Sequence, residues 1–380
     1  MIDFIAYVVV VDDLTTLWFT RCPVPTATGI AADRGWFDER FGPDGIEVRS
    51  LQELRGQGTG SDNGHAPEAA DTHTPEAPDG HAPDEADAAA NRRLAQTHYT
   101  HELPSLIREG GNVPALWAAS RGEPTRLIGL TWIEEHQRIL TRAGTDLSDP
   151  AKLRELRLAI PVHETAIDFW QAMALSGFAG ALALGGATLD DATLVEVPAG
   201  DRSPDAAAVP VSRKTPEHDQ WSAELRALAD GRVDAVYVKG AVAVGAAERF
   251  GAMTAIELDA IPDRRLRVNN GTPRPITVHQ RLVDEHPQIV TGFLEVLGRA
   301  ADWAAENPDE LSRVLAAETG SAAAGVAAAY GHSDLHPDLS DERLELLAQQ
   351  ADFLHKHGFL PRPVDVYDWS LVLDTSGELV

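Results

Sequence analysis

Apolar and polar positions along this chain fall in short blocks that switch between a period of two and a period near 3.6, which predicts strands and helices taking turns. Leu17–Thr20 and Arg126–Trp132 read as strands, the second fully buried, and Ala27–Phe37 reads as a helix. Further on, Pro150–Leu156 predicts a short helix, Arg157–Pro161 a strand, Ile167–Leu175 a helix and Thr193–Val197 an alternating strand. Trp221–Ala229 has helical spacing and is stopped by Asp230-Gly231-Arg232, after which Val233–Tyr237 and Ala255–Leu258 are apolar runs of strand length. Longer helices are predicted over Val278–Glu285, Pro287–Glu306, Pro308–Thr319 and Asp341–His357. This order predicts an α/β class with parallel sheets covered by helices, in which ligands bind beyond the carboxyl ends of strands, at helix N-termini. Phe4–Val11 is one more apolar run, with Asp3 before it and Asp12-Asp13 after. It is too short to span a bilayer, lacks the basic start and cleavage site of a secretory signal, and reads as a strand.

The periodicity stops between about residues 56 and 93, where aromatic and β-branched residues nearly vanish. Gly64–Asp71, Thr72–Asp79 and Gly80–Asp87 form a threefold repeat of eight residues, rich in Pro, Ala and acidic side chains. Such a segment cannot bury enough apolar surface to offset its chain entropy, so it is expected to be a disordered acidic insertion outside the fold. Its His65, His73 and His81 have no spacing that would make a compact metal site.

A chain of 380 residues with a formal charge of −27 has room for two domains. The charge argues against a nucleic-acid or anionic-membrane surface, since both need a basic face. An anionic ligand must therefore be caught by a local cluster of donors. The single cysteine, Cys22, sits in Arg21-Cys22-Pro23-Val24-Pro25, between a predicted strand and a predicted helix. Free cysteine is most often a small core residue. Here the prolines stiffen the connection, Thr26 or Thr28 can cap the helix, and the helix N-terminus with Arg21 would lower the thiol pKa.

A second constellation follows the insertion. Arg108 offers a planar fork of donors suited to a two-oxygen anion, and Gly110 and Gly111 let backbone approach closely. Asn112 and Pro114 open a helix over Val113–Ser120 whose free N–H groups add anion-binding donors. His98 can exchange a proton with a thiol. Glu134-Glu135-His136 reads as a solvated segment, His332 and His336 as loop residues and no metal site, and Trp18, Trp117, Trp132 and Trp170 as core candidates of which one or two can line an aromatic slot. Asn270-Gly271-Thr272 is a formal glycosylation sequon only.

Two resemblances arise from these residues. Ser148-Asp149-Pro150 with Arg157–Ile160, Leu228–Val236, and Pro287 through Trp303 to Asn307-Pro308 resemble the type II periplasmic-binding fold of nitrate, sulfonate and thiamine-precursor binders. That resemblance implies lobe one at 1–141 and 255–380, lobe two at 142–254, and a ligand cleft between them. Cys22-Pro23-Val24-Pro25, His98 through Pro104, Arg108 through Pro114 and Thr125 through Thr131 are similar to the 2'-hydroxybiphenyl-2-sulfinate desulfinase family. This implies a cytoplasmic hydrolase that releases sulfite from an aryl sulfinate, with Cys22, His98 and Arg108 as catalytic residues.

By the same resemblance Gly111, beside Gly110, contacts the sulfinate through its backbone. No cofactor and no metal are implied, and the expected partner is a small sulfinate-like anion bound by a monomer. Cys22 would either attack sulfur or protonate the ring carbon. The chain departs from that family in its insertion and around Val162–Thr165, where the aryl group would be gripped, so another aromatic or an aliphatic sulfinate also fits. The reading from another class is a non-catalytic solute-binding protein for a sulfonate-like anion, feeding a transporter.

Overall fold

The structure, a computed structural model, describes residues 14–21, 24–51, 94, 96–198, 221–319, 323–330 and 333–373. Cys22, the strand expected at Phe4–Val11 and the repeat insertion lie outside these residues.

Two sheets organise the chain. The first contains β1 (Thr16–Phe19), β2 (Glu47–Ser50), β3 (Leu106–Glu109), β4 (Thr125–Trp132), β10 (Arg274–His279) and β11 (Asp334–Asp338), in the order β11-β4-β10-β3-β1-β2. The second contains β5 (Gln137–Arg142), β6 (Arg157–Val162), β7 (Thr193–Pro198), β8 (Ala235–Lys239) and β9 (Ala252–Glu257), in the order β7-β6-β8-β5-β9. Parallel pairing holds for β1 with β2 and β3, and for β6 with β7 and β8. The expectation of purely parallel sheets is corrected by β10, which runs antiparallel to both β3 and β4, and by β5, which runs antiparallel to β8 and β9. Both are strands that the chain enters directly from the other sheet, without the helical crossover that parallel pairing needs.

The passages between the sheets occupy residues 133–136 and 258–273. The boundary expected at 141/142 assigns nearly all of β5 to the first lobe, yet β5 pairs only within the second sheet. Two predicted helices also need correction. Ala27–Phe37 is split into Ala27–Asp33 and Trp36–Phe41, because Gly35 takes the left-handed conformation at φ 70°. Val278 stays in β10, where Ile276 and Val278 face the core at a period of two, and the helix starts only at Gln280.

The helix Pro287–Glu306 lays Val290, Phe293, Leu297 and Ala301 on the first sheet, and Phe293 stacks on Phe37 at 4.8 Å. Each such side chain contributes about 1.5–3 kcal/mol on full burial. In the second half, Phe169–Leu184 packs Phe178, Ala181 and Leu182 over β6 and β8. Gly177 of that helix allows the Tyr237 ring to approach to where a Cβ would lie 2.2 Å from the ring carbons. The helix Asp341–Lys356 closes the seam, packing Leu344, Leu347 and Leu354 with Leu116 and Trp117 of the first half and Ile167 and Ala172 of the second. Among the described residues no helix is long and apolar enough to cross a membrane.

Candidate active site

The carboxyl end of β3 organises the site. Strand alternation turns Arg108 and Glu109 to opposite faces, and both are buried. Arg108 donates from Nε to the His98 carbonyl oxygen at 2.8 Å and from Nη2 to the Gly111 carbonyl oxygen at 3.0 Å. Its guanidinium lies over Gly110, where a Cβ would come within 2.7 Å of Cζ, so a larger residue there would displace the guanidinium. His98, buried in the helical turn 96–100, meets the Tyr99 ring edge-on at 4.8 Å. Four of the residues singled out in the sequence, His98, Arg108, Gly110 and Gly111, are thus brought together. Arg108 holds backbone with two of its donor groups.

Gly111 caps the helix Asn112–Arg121. A Cβ there would stand 2.4 Å from the Asn270 side-chain oxygen. Asn270 Oδ1 accepts from the Val113 N–H at 2.9 Å, its carbonyl accepts from the Asn112 N–H at 2.6 Å, and the Asn112 carboxamide donates to Asn269 and Pro273 carbonyls at 2.7 and 2.9 Å. A carboxamide from the 258–273 passage therefore occupies the helix N-terminus where an anion was expected. Nothing in the sequon pattern carried that information, because the contact spans 157 positions.

The segment around Cys22 is anchored on both sides. Thr26 caps the helix that follows, accepting from the Gly29 N–H at 3.0 Å. Arg21 pairs with Asp33 at 2.7 Å, so its charge is shared with that carboxylate. Thr20 Oγ1 donates to the Glu109 carbonyl at 2.7 Å, and the Thr28 N–H donates to the Glu109 carboxylate at 2.9 Å. Glu109 was not singled out in the sequence, and neither was His101. The latter is buried at φ 58°, with Nε2 2.9 Å from Thr277 Oγ1, and burial followed by the Arg108 charge pushes its pKa down to about 3. His101 is therefore neutral.

From His98 an aromatic run crosses to the second half. Tyr99 stacks on Phe169 at 6.3 Å, Phe169 lies 5.2 Å from Trp170, and Trp170 meets Trp221 edge-on at 5.1 Å. Asp168 caps the helix beginning at Phe169 and stands 3.2 Å from His163 Nδ1. The sequence pointed to Trp170 but not to Tyr99 or Phe169, whose partner lies on the other half of the molecule.

Two further expectations are corrected. Glu135 is not solvated: it is buried, with Lys239 at 2.7 Å and Arg274 at 3.5 Å, and burial lowers the Lys239 pKa. His136 is pushed down to about 4, chiefly by burial. His336 lies in β11 instead of a loop, with Asp302 at 2.9 Å, and its pKa is raised by that hydrogen bond; His332 is outside the described residues. Among the described residues no group of three or more His, Cys, Asp or Glu side chains is arranged to hold a metal ion.

Comparison with known proteins sets this geometry in context. Residues 219–311 match the NMT1/THI5 like family. The chain is 25% identical to 2'-hydroxybiphenyl-2-sulfinate desulfinases of Rhodococcus erythropolis and Rhodococcus qingshengii, over 93% of its own length and 91% of theirs. Among solved structures it resembles a cysteine-to-serine mutant of DSZB in complex with biphenyl-2-sulfinic acid, with a TM-score of 0.65 and 22% identity over 94% of this chain and 96% of that one. It also resembles the periplasmic aliphatic sulphonate binding protein SsuA from Escherichia coli, with a TM-score of 0.59 and 12% identity over 95% of this chain and 94% of that one. The fold is the two-lobed α/β architecture of these binding proteins.

Proposed function

We propose that this protein is a desulfinase that cleaves the carbon–sulfur bond of an aryl sulfinate, with Cys22 as catalytic thiol, His98 as its proton partner and Arg108 with Gly110 and Gly111 as the sulfinate cradle. The observation that carries this reading is the double tie from Arg108 to the carbonyls of His98 and Gly111, which gathers three of these residues in one place. Similarity to the desulfinases over almost the whole chain supports it, as does the Tyr99–Phe169–Trp170 run, which places aromatic rings next to His98 where an aryl group would be received.

The reaction converts a sulfinate and water into the parent arene and bisulfite. The electron pair of the carbon–sulfur bond stays with carbon, which takes up one proton, and sulfur leaves with both its oxygens and is hydrated. A buried guanidinium beside the Gly111 N–H would hold the charge on those oxygens where little water competes. Cys22 serves either as the proton donor to carbon or as the nucleophile that takes sulfur, and in both routes His98 sets its protonation state.

The likeness to sulphonate-binding proteins favours a second reading, capture of a sulfonate-like anion without chemistry. Sulfite release from 2'-hydroxybiphenyl-2-sulfinate and a panel of aryl and alkyl sulfinates, wild type beside Cys22→Ser, separates the two. Release that disappears in the variant supports the enzyme. Saturable binding with no sulfite, equal in both proteins, overturns it in favour of the binder.

A further inference from the structure

We infer that Glu109 is the positioning residue that fixes Thr20 and Thr28, on either side of Cys22 in the sequence. The role given to Cys22 rests on the desulfinase reading; the geometry that motivates the inference does not.

Glu109 ends the buried strand Leu106–Glu109, whose other members include Leu106 and Ile107. A buried carboxyl is costly unless its oxygens are matched. Here both are. Oε2 accepts from the Thr28 N–H at 2.9 Å, and Oε1 accepts from Thr131 Oγ1 at 3.2 Å. Its carbonyl takes the Thr20 hydroxyl at 2.7 Å, and Thr28 Oγ1 in turn reaches the Thr20 carbonyl at 3.2 Å and Thr26 Oγ1 at 3.2 Å.

Residues 20 and 28, which lie before and after Cys22 in the sequence, are thereby fixed to one residue of β3. That residue stands between Arg108, which binds His98 and Gly111, and Gly110, which lies beneath the guanidinium. One dipeptide therefore ties together both segments that the proposed chemistry needs: its first residue holds the histidine and the anion loop, its second the residues 20 and 28 between which Cys22 lies in sequence. Burial raises the Glu109 pKa, while the Thr28 N–H and the nearby Arg274 charge favour the ionised form.

The test compares Glu109→Leu, Glu109→Gln and Thr20→Val in the full chain. Glutamine keeps an oxygen for the Thr28 N–H and offers its amide to Thr131 Oγ1, so it should restore what leucine removes. We expect Glu109→Leu to lower kcat for sulfite release about 100-fold with KM within about twofold, and Glu109→Gln to stay within about fivefold of wild type. Because the chain has one cysteine, iodoacetamide alkylation reads Cys22 without any substrate. Its rate should change at least about threefold in Glu109→Leu and return in Glu109→Gln. Wild-type kcat and wild-type alkylation in Glu109→Leu overturn the inference, as does a Glu109→Gln variant as impaired as leucine. Should Glu109→Leu fail to fold, Thr20→Val cuts the other tie at constant shape and must show the same pattern in smaller degree. If the wild type releases sulfite from no sulfinate, the desulfinase reading fails, while the alkylation series still decides the role of Glu109.

Discussion

The Arg108 guanidinium donates through Nε to the His98 carbonyl oxygen at 2.8 Å, so the residues between them form a loop tied at its two ends. The second donor group, on the Gly111 carbonyl at 3.0 Å, extends the tie to the loop that opens the next helix. The interval of ten residues between His98 and Arg108 is thus a structural distance as well as a sequence spacing.

Arg108→Lys should break the site although it keeps the charge. An ammonium on a flexible stem cannot reach two carbonyls in divergent directions, and one of these buried acceptors would lose its partner. We expect a loss of about 2–4 kcal/mol in urea unfolding and a fall of about 100-fold or more in sulfite release. Retention of either quantity at the wild-type level would refute the clamp.

Asn270 sits on the same helix N-terminus that an anionic substrate would use. Asn270→Asp preserves shape and adds a negative charge. The fold should tolerate it, since a carboxylate at a helix N-terminus is favourable by about 0.3–1 kcal/mol. Sulfinate binding should weaken about 100–1,000-fold, because like charges a few ångströms apart repel by about 3–4 kcal/mol at an effective dielectric of 20. Thermal unfolding and isothermal titration on one preparation check both halves of this prediction. Loss of stability together with unchanged affinity would contradict it.

Much of the fold was legible because it depends on local signals. Pro287–Glu306, Pro308–Thr319 and Asp341–Lys356 carry their apolar stripes in the sequence, and Pro at the first helical position marks two of their starts. Sheet direction was not legible, because β10 is placed between β3 and β4 by the return passage from the other half. The candidate site divides in the same way. His98, Arg108, Gly110 and Gly111 lie within fourteen residues and could be picked out by their resemblance to the desulfinase motif. Asn270, Phe169 and the Thr28 tie to Glu109 are contacts across 157, 70 and 81 positions, and only the folded chain brings them together.

His101 should make the protein acid-sensitive. Its folded pKa, about 3, lies below the ordinary value of 6.5, so between these limits the unfolded chain binds a proton that the folded chain does not. Stability is therefore complete above pH 6.5 and declines as pH falls toward 3, by at most about 1.4 kcal/mol per pH unit for this one group. His136, lowered to about 4, acts in the same direction. His101→Asn tolerates φ 58° and, being too short to reach where Nε2 stands, gives up the Thr277 bond, a loss that does not vary with pH. Urea unfolding from pH 7.5 to 4.5 should give a shallower decline in His101→Asn than in wild type, with part of the slope left from His136. Parallel curves would show that His101 does not carry the effect.

Glu135 binds the two halves through charge. It sits in the 133–136 passage and takes Lys239 from the end of β8 at 2.7 Å and Arg274 from the start of β10 at 3.5 Å, all three buried. Exchanging the whole cluster for apolar residues could leave stability unchanged, but removing the single anion leaves two buried cations facing each other. Glu135→Ala should therefore cost about 3–5 kcal/mol in urea unfolding. Lys239→Met should cost much less, because Glu135 keeps Arg274 and the buried lysine no longer has to be desolvated. Combining the two changes should restore part of what Glu135→Ala loses, since only one cation then remains without an anion. A double variant no more stable than Glu135→Ala would mean that the cluster acts through packing and not through its charges.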